Sequence, residues 1–364
     1  MGLEIDFLAV GDESQSGDAI ALRWGDLHGS RENQWVAIVD GGFKEIGNKL
    51  VDFVKTRYGT DLVDIVLSTH PDEDHANGLI VVLEELQVGT LLMHQPWKHE
   101  HTNNIADMFK SGRVTDQSVR AHLRKSLDAA ADLEALAKKK GIKIVEPFSG
   151  VHTPDGTFKI LGPTKDFYQS LLPNFRGTPE PKSVFATGLE DIFKKAADSV
   201  TNFIDETFGF ETLTDEGETS PENNSSSISL LTVDGNSYIL TGDAGQPALL
   251  QVADFLDADG FDKDTLKLIQ VPHHGSRRNV GPTVLNRLLG KPNSEDKKTR
   301  SAFLSAAKKG EPKHPSRKVA NAFRRRGAYM YTTQGVNLWH HEDAPDRSDY
   351  SSATPLAFFS EVEE

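Results

Sequence analysis

Short apolar, β-branched runs in this chain repeatedly stop on a histidine or an aspartate. The run 35–39 (WVAIV) stops on Asp40, Gly41 and Gly42, and 63–69 (VDIVLST) on His70-Pro71-Asp72-Glu73-Asp74-His75. Residues 88–94 end in His94, 237–241 (SYILT) meets Gly242 and Asp243, and 266–271 (LKLIQV) meets Pro272, His273, His274, Gly275 and Ser276. Runs of this kind form buried strands, and strands apolar on both faces belong to sheets covered by helices. Whatever follows such a strand lies at the carboxyl edge of its sheet, where sites in α/β proteins tend to form. Further strands are expected at 3–10, 18–24, 228–233 and 301–305, and helices at 44–58, 77–86, 117–140 and about 315–326. Asp234-Gly235 marks a hairpin, and 328–339 reads as another.

With 364 residues the chain can bury a large core and still carry an insertion. The stretch from about 164 to 222 fits one, because seven acids and no base stand from Asp205 to Glu222 among Gly, Ser, Thr and Pro, as in a flexible loop. From 341 to 364 the sequence is mostly polar, a tail expected to be loose.

Cysteine is absent, which removes disulfides, thiolate metal sites and cysteine nucleophiles together. A metal would have to be held by His, Asp, Glu, Asn or backbone oxygen. Glu4 and Asp6 stand where a signal peptide would be basic, and no apolar run reaches 18 residues, so a cytoplasmic protein without a membrane partner is expected. The formal charge of −14 argues against nucleic acid, but twelve Lys or Arg against three acids lie in 291–328. A basic patch on an acidic body can face phosphates. A solvated helix face explains the same charges.

Four ligand-type side chains, His70, Asp72, Asp74 and His75, fall within six residues. On an extended segment, alternate positions share a side, and carboxylates crowded into one pocket raise each other's pKa unless a cation stands between them. A solvated acidic turn is the ordinary explanation of such a cluster. Its place between an apolar strand and a helix opening on Ala76-Asn77-Gly78, with two more His/Asp clusters after later strands, favours a metal.

Several segments resemble the metallo-β-lactamase fold, and within it the hydrolase domain of ComEC-type competence proteins. They are AVGDESQSGDAIAL at 9–22, VAIVDGG at 36–42, STHPDEDHANGL at 68–79, NNSSSISLL at 223–231, YILTGDAG at 238–245, VPHHGS at 271–276 and FLSAAKKGEPKHPSRKV at 303–319. The resemblance implies an α/β αββα sandwich over 1–340, with two central mixed β-sheets and helices outside. The insertion and the helix at 117–140 lie outside what matches. Carried over by position, Asp74, His75 and His273 would hold one divalent metal, with His274 the alternative to His273; His70, Asp72 and Asn224 would hold another, and Asp243 would bridge. Asp72 replaces the superfamily's second motif histidine, and its next single histidine would fall near Asn224, which leaves one metal short of a nitrogen ligand. Asp40, Gly275 and Ser276 would order the ligand loops. Mn²⁺ or Zn²⁺ suits such a donor set.

Two such ions deliver hydroxide at neutral pH and stabilise both oxygens of a phosphoryl displacement. Asp74 and His314 would be catalytic, His314 by contacting the scissile phosphate or protonating the leaving oxygen; a helix-capping surface histidine is its plainer role. Ser305, Lys308, Lys309, Lys313, Arg317 and His94 would line the substrate. The function so implied is a phosphodiesterase or nuclease on DNA or RNA, alone or with a partner protein in a defence-type system. Hydrolysis of a small phosphodiester, lactone or thioester, and a weakly active regulatory or binding module, are the alternatives.

Overall fold

The computed structural model describes residues 1–10, 16–99, 109–110, 115–179, 203–308 and 314–363. Alternation along the strands builds its layers. In the run at 34–41, Val36 and Ile38 turn to one side and pack on helices, while Ala37 and Val39 turn to the other and meet a second sheet. In the run at 62–67 the last three residues repeat this, with Val66 outward and Ile65 and Leu67 inward.

The first sheet contains β1 (Gly2–Phe7), β2 (Ala19–Gly25), β3 (Gln34–Gly41), β4 (Leu62–Leu67), β5 (Gln87–Leu92), β6 (Lys143–Val145) and β14 (Leu338–Glu342), in the order β14-β1-β2-β3-β4-β5-β6. The second contains β7 (Phe158–Gly162), β9 (Ile228–Val233), β10 (Asn236–Leu240), β11 (Leu266–Gln270), β12 (Arg300–Leu304) and β13 (Ala328–Thr332), in the order β13-β12-β11-β10-β9-β7. A separate two-stranded ribbon pairs β8 (Phe203–Asp205) with β15 (Glu361–Glu363). The two sheets share an apolar layer in which Phe7 meets Phe303 edge-on at 5.5 Å and Trp24 stacks between Trp35 and Phe158.

Helices α1 (Lys44–Phe53), α2 (Glu73–Glu85), α3 (Asp116–Ser126), α4 (Asp128–Lys140) and α5 (Lys165–Leu171) cover the first sheet. Between them and the second sheet's cover comes the one-turn α6 (Pro221–Asn224); α7 (Gln246–Ala258), α8 (Pro282–Leu289) and α9 (Arg317–Arg325) cover the second sheet. The order of layers is the expected αββα sandwich. Because β3 to β6 run parallel, and β10 to β13 do too, the carboxyl ends of both sets can gather at one edge. There the Ser227 N–H donates to the Thr69 carbonyl across the two sheets.

Four local expectations change. Helix α2 starts at Glu73, not 77, so Asp74 and His75 stand in its first turn and Asp72 is its N-cap. The 117–140 helix is two, parted at Leu127. The segment 328–339 is no hairpin: β13 joins β12 in one sheet and β14 joins β1 in the other. The 341–364 tail is tied down, with Arg347 bonded to the buried Glu4 and Asp6 and β15 paired to β8. Among the described residues no helix is long and apolar enough to cross a membrane.

Candidate metal centre

Asp40 ends β3 with a left-handed backbone (φ 56) that turns its carboxylate inward beneath β4. One oxygen accepts from the Thr69 backbone N–H at 2.8 Å; the other accepts from the Thr69 hydroxyl at 2.6 Å and from His75 Nδ1–H at 2.8 Å. Holding the proton on Nδ1 leaves His75 Nε2 as the free donor toward the site. Gly78 lies against Gly41 with no room for a β-carbon, and its N–H donates to the Gly42 carbonyl at 2.7 Å. That close seat brings the first turn of α2 over the strand ends.

Asp243, buried after β10, is the centre of the cluster. Its Oδ2 lies 3.5 Å from His75 Nε2, 3.7 Å from His273 Nε2 and 3.8 Å from His70 Nε2. Burial opposes its charge, but His75, His273 and His274 outweigh that and hold its carboxyl well below the usual range. Burial alone would push His75 down, yet the Asp243, Asp40 and Asp74 carboxylates hold it well above an ordinary imidazole. His70 goes the other way, lowered by burial and by His75.

Residues 273–275 make three consecutive left-handed steps, φ 48, 54 and 81, of which only Gly275 carries no β-carbon. Pro315 packs on Gly275, and the Ser316 N–H donates to its carbonyl at 3.0 Å. The turn corrects the sequence preference for His273 beside Asp74 and His75. His274 is the buried one: its Nδ1 donates to the Ser305 carbonyl at 3.0 Å, and its Nε2 lies 3.7 Å from Asp74 Oδ2. Burial would lower it, but Asp243, Asp74 and Asp18 raise it to about 9. His273 stays one-third exposed, fixed through Nδ1 to Asn279 at 2.9 Å with Asn223 at 3.1 Å, and faces Asp243 only.

Among the described residues, the buried Nε2 atoms of His70, His75 and His274, with Asp243 Oδ1, have no hydrogen-bond partner. One ligand atom each from Asp74, His75 and His274, and likewise from Asp18, His75 and Asp243, falls within 4.8 Å of the others in its group. Inward nitrogen and carboxylate donors left unsatisfied in this way fit a divalent cation. Asp72 Oδ2 is 3.7 Å from His70 Nε2, and its other oxygen is ion-paired with Arg176. Asn224 lies against Gly245 with its amide oxygen unpartnered.

Three contributors escaped the sequence reading. Asp18, just before β2, is buried 3.9 Å from His75 Nδ1, and burial pushes its carboxyl up to about 6 against His75 and His274. Gln270, the last residue of β11, accepts from the Thr241 and Gly242 N–H groups at 2.8 and 3.0 Å and donates to Asp18 at 2.8 Å. Asn279 braces His273 and donates to the Asp243 carbonyl at 2.8 Å. The legible signal for Asp18 was topological: β2 is antiparallel to β3, so its start returns to the edge where β3 ends.

His314 reaches the site, its ring 6.4 Å from that of His273; burial, then the charges of His274 and His273, push it down to about 4. Ser305 contributes its carbonyl, and the Ser276 hydroxyl accepts from the Arg278 N–H at 3.3 Å. His94 is buried, stacked on Tyr168 at 4.3 Å and 3.2 Å from the Ser227 hydroxyl, and lines a small cavity together with His70. Lys308 is exposed; Lys309 and Lys313 lie outside the described residues. Arg317 does not reach toward the site: it lies over the Phe203 and Phe359 rings and bonds the Glu361 carbonyl.

Three arginines at the end of the basic segment are answered from within the chain. Arg324 pairs with Asp296 at 2.7 Å, buried Arg325 with Glu206 at 3.3 Å, and buried Arg326 with Glu211 at 2.8 Å. The acids at 206 and 211, expected in a flexible loop, are thus fixed to α9.

No family model and no curated protein sequence matches this chain. Among solved structures it is similar to Tm1679, a metal-dependent hydrolase of the beta-lactamase superfamily, at 14% identity over 92% of this chain and 98% of that one, with a TM-score of 0.41. It is similar to unliganded yeast PDE1 at 10% identity, 92% and 98% coverage and a TM-score of 0.43. The hydrolase AbOPH, in the beta lactamase superfamily, follows at 11%, with 66% and 70% covered and a TM-score of 0.32. By its own layers, and by the strand ends that deliver its His and Asp side chains to one edge, the chain has the metallo-β-lactamase αββα fold.

Proposed function

We propose that the protein is a divalent-metal-dependent hydrolase of phosphodiesters. The observation that carries this is the set of unsatisfied, inward-facing nitrogens of His70, His75 and His274 around Asp243 and Asp74. A bound divalent ion activates water and offsets the charge gathering on phosphoryl oxygens. The chain's part is to hold the donors ready. Asp40 and the Ser305 carbonyl keep protons on Nδ1 of His75 and His274, which leaves Nε2 of each as the atom that would bind a metal. His314, pushed down to about 4, is neutral at physiological pH. It therefore serves by donating its ring N–H to a phosphoryl oxygen, and not as a standing acid.

A polynucleotide substrate is supported by exposed Lys308. A small phosphodiester is favoured by a different observation: Arg324, Arg325 and Arg326 are already paired with the chain's own acids. Purified protein with Mn²⁺, Mg²⁺ or Zn²⁺ should hydrolyse single- or double-stranded DNA, RNA or a chromogenic phosphodiester, and a chelator should abolish the reaction. His314→Ala should keep its metal and lose roughly 10²–10³-fold in turnover, as when one oxyanion donor is removed. A log–log salt slope of about −0.7 to −0.9 per phosphate contact would mark a polynucleotide enzyme, and a flat one the small substrate. Failure to cleave any of these with any of the metals sinks the proposal.

A further inference from the structure

Asp72 and Asp74 stand two residues apart and are neutralised by different means. Asp74 Oδ2 faces His75 Nε2 and His274 Nε2 at 3.8 and 3.7 Å. Asp72 has one imidazole nearby, His70, and its second oxygen lies 2.7 Å from a guanidinium nitrogen, Arg176 Nη2, an ion pair by proximity without hydrogen-bond geometry. Arg176 is held there deliberately. Its backbone N–H donates to the buried Glu222 at 2.5 Å, and its Nε donates to the Ser126 carbonyl at 3.1 Å. Phe175 before it is buried, and Gly177 after it, at φ 78, packs on Ser126 where no β-carbon fits. The loop fixes where the guanidinium starts, and the Ser126 carbonyl and Asp72 hold it, while the side chain stays 45% exposed.

We infer that Arg176 stands in for a cation at Asp72, so that the two metal positions load unequally. This rests on the metal-dependent reading above. One ion binds firmly at Asp74, His75, His274 and Asp243; a second reaches His70 and Asp72 only when Arg176 swings away. A half-exposed ion pair opens at little cost, so the second position is usable on demand.

Mn²⁺ titration of the whole chain, followed by calorimetry and by the electron paramagnetic resonance of free Mn²⁺, tests this without any turnover. The wild type should take one ion tightly and a second at least tenfold more weakly. Arg176→Ala and Arg176→Gln, each checked for folding by circular dichroism, should leave the first step unchanged and tighten the second roughly tenfold, because a cation near the incoming ion is gone. Two steps of equal affinity in the wild type, or a second step unmoved in both variants, would overturn the inference. His274→Ala separates it from its foundation: should that variant keep the tight step, or the wild type bind no Mn²⁺, the metal-dependent reading itself has failed.

Discussion

His75 and His274 face carboxylates closely enough to carry protons at neutral pH until a cation displaces them. His274 is raised to about 9 and His75 well above the ordinary value. Metal uptake near pH 7 should therefore release protons, and affinity should climb with pH toward about 9. Calorimetry in buffers of different ionisation enthalpy measures that release; zero released protons would contradict the assignment of these imidazoles as ligands. The same shift acts on stability. A histidine raised in the fold stabilises it fully below the unfolded value of about 6.5, and this is lost as pH rises through the folded value. Chelator-treated protein should melt lower at pH 9 than at pH 6.5, and metal-loaded protein should not follow it. Asp18 adds only a little in the same direction, since a carboxyl raised to about 6 is already mostly ionised at pH 6.5.

At the scale of elements, β11 does more than carry His273 and His274. Gln270 at its end joins the loop of Asp243 to Asp18, using both ends of one amide. Gln270→Leu would leave two buried N–H groups unpaired, costing about 1–3 kcal/mol each if no water replaces them, and would loosen Asp243. Denaturant unfolding and Mn²⁺ affinity should both fall; unchanged affinity would make Gln270 a packing residue only. Such clasps were hidden in the sequence, while the strand ends were legible. His70, Asp74, His75, Asp243 and the His273-His274 pair announce themselves because each follows an apolar run, a local pattern that does not say which of the two histidines turns inward. Gln270, Asp18, Asn279 and Arg176 gain meaning from partners up to 252 residues away, which no local pattern records. The supposed hairpin at 328–339 failed for the same reason: both runs are strands, but Leu338 pairs with Phe7 across the molecule. The start of α2 is illegible because His70 to His75 reads as a polar turn, and Asp72 at its N-cap makes no capping bond with its side chain, which faces His70 and Arg176.

Over the whole molecule, charge of both signs is folded onto itself. The acids at 206 and 211 and the arginines at 325 and 326, nearly opposite ends of the local charge range, meet on α9, and the tail closes over Glu4 and Asp6 through Arg347. What such pairing stabilises, the site partly gives back. His273 and His274 hold a backbone that glycine adopts freely and a β-carbon resists by roughly 1 kcal/mol or more per residue. His273→Gly, with its side chain partly exposed, should raise the stability of chelator-treated protein by about 0.5–1 kcal/mol while weakening the site; a loss of stability would mean the Asn279 and Asn223 contacts outweigh the backbone. Selecting this chain for heat tolerance alone would thus erode its chemistry first, and thermostable descendants obtained that way should be screened at the 273–275 turn before their activity is trusted.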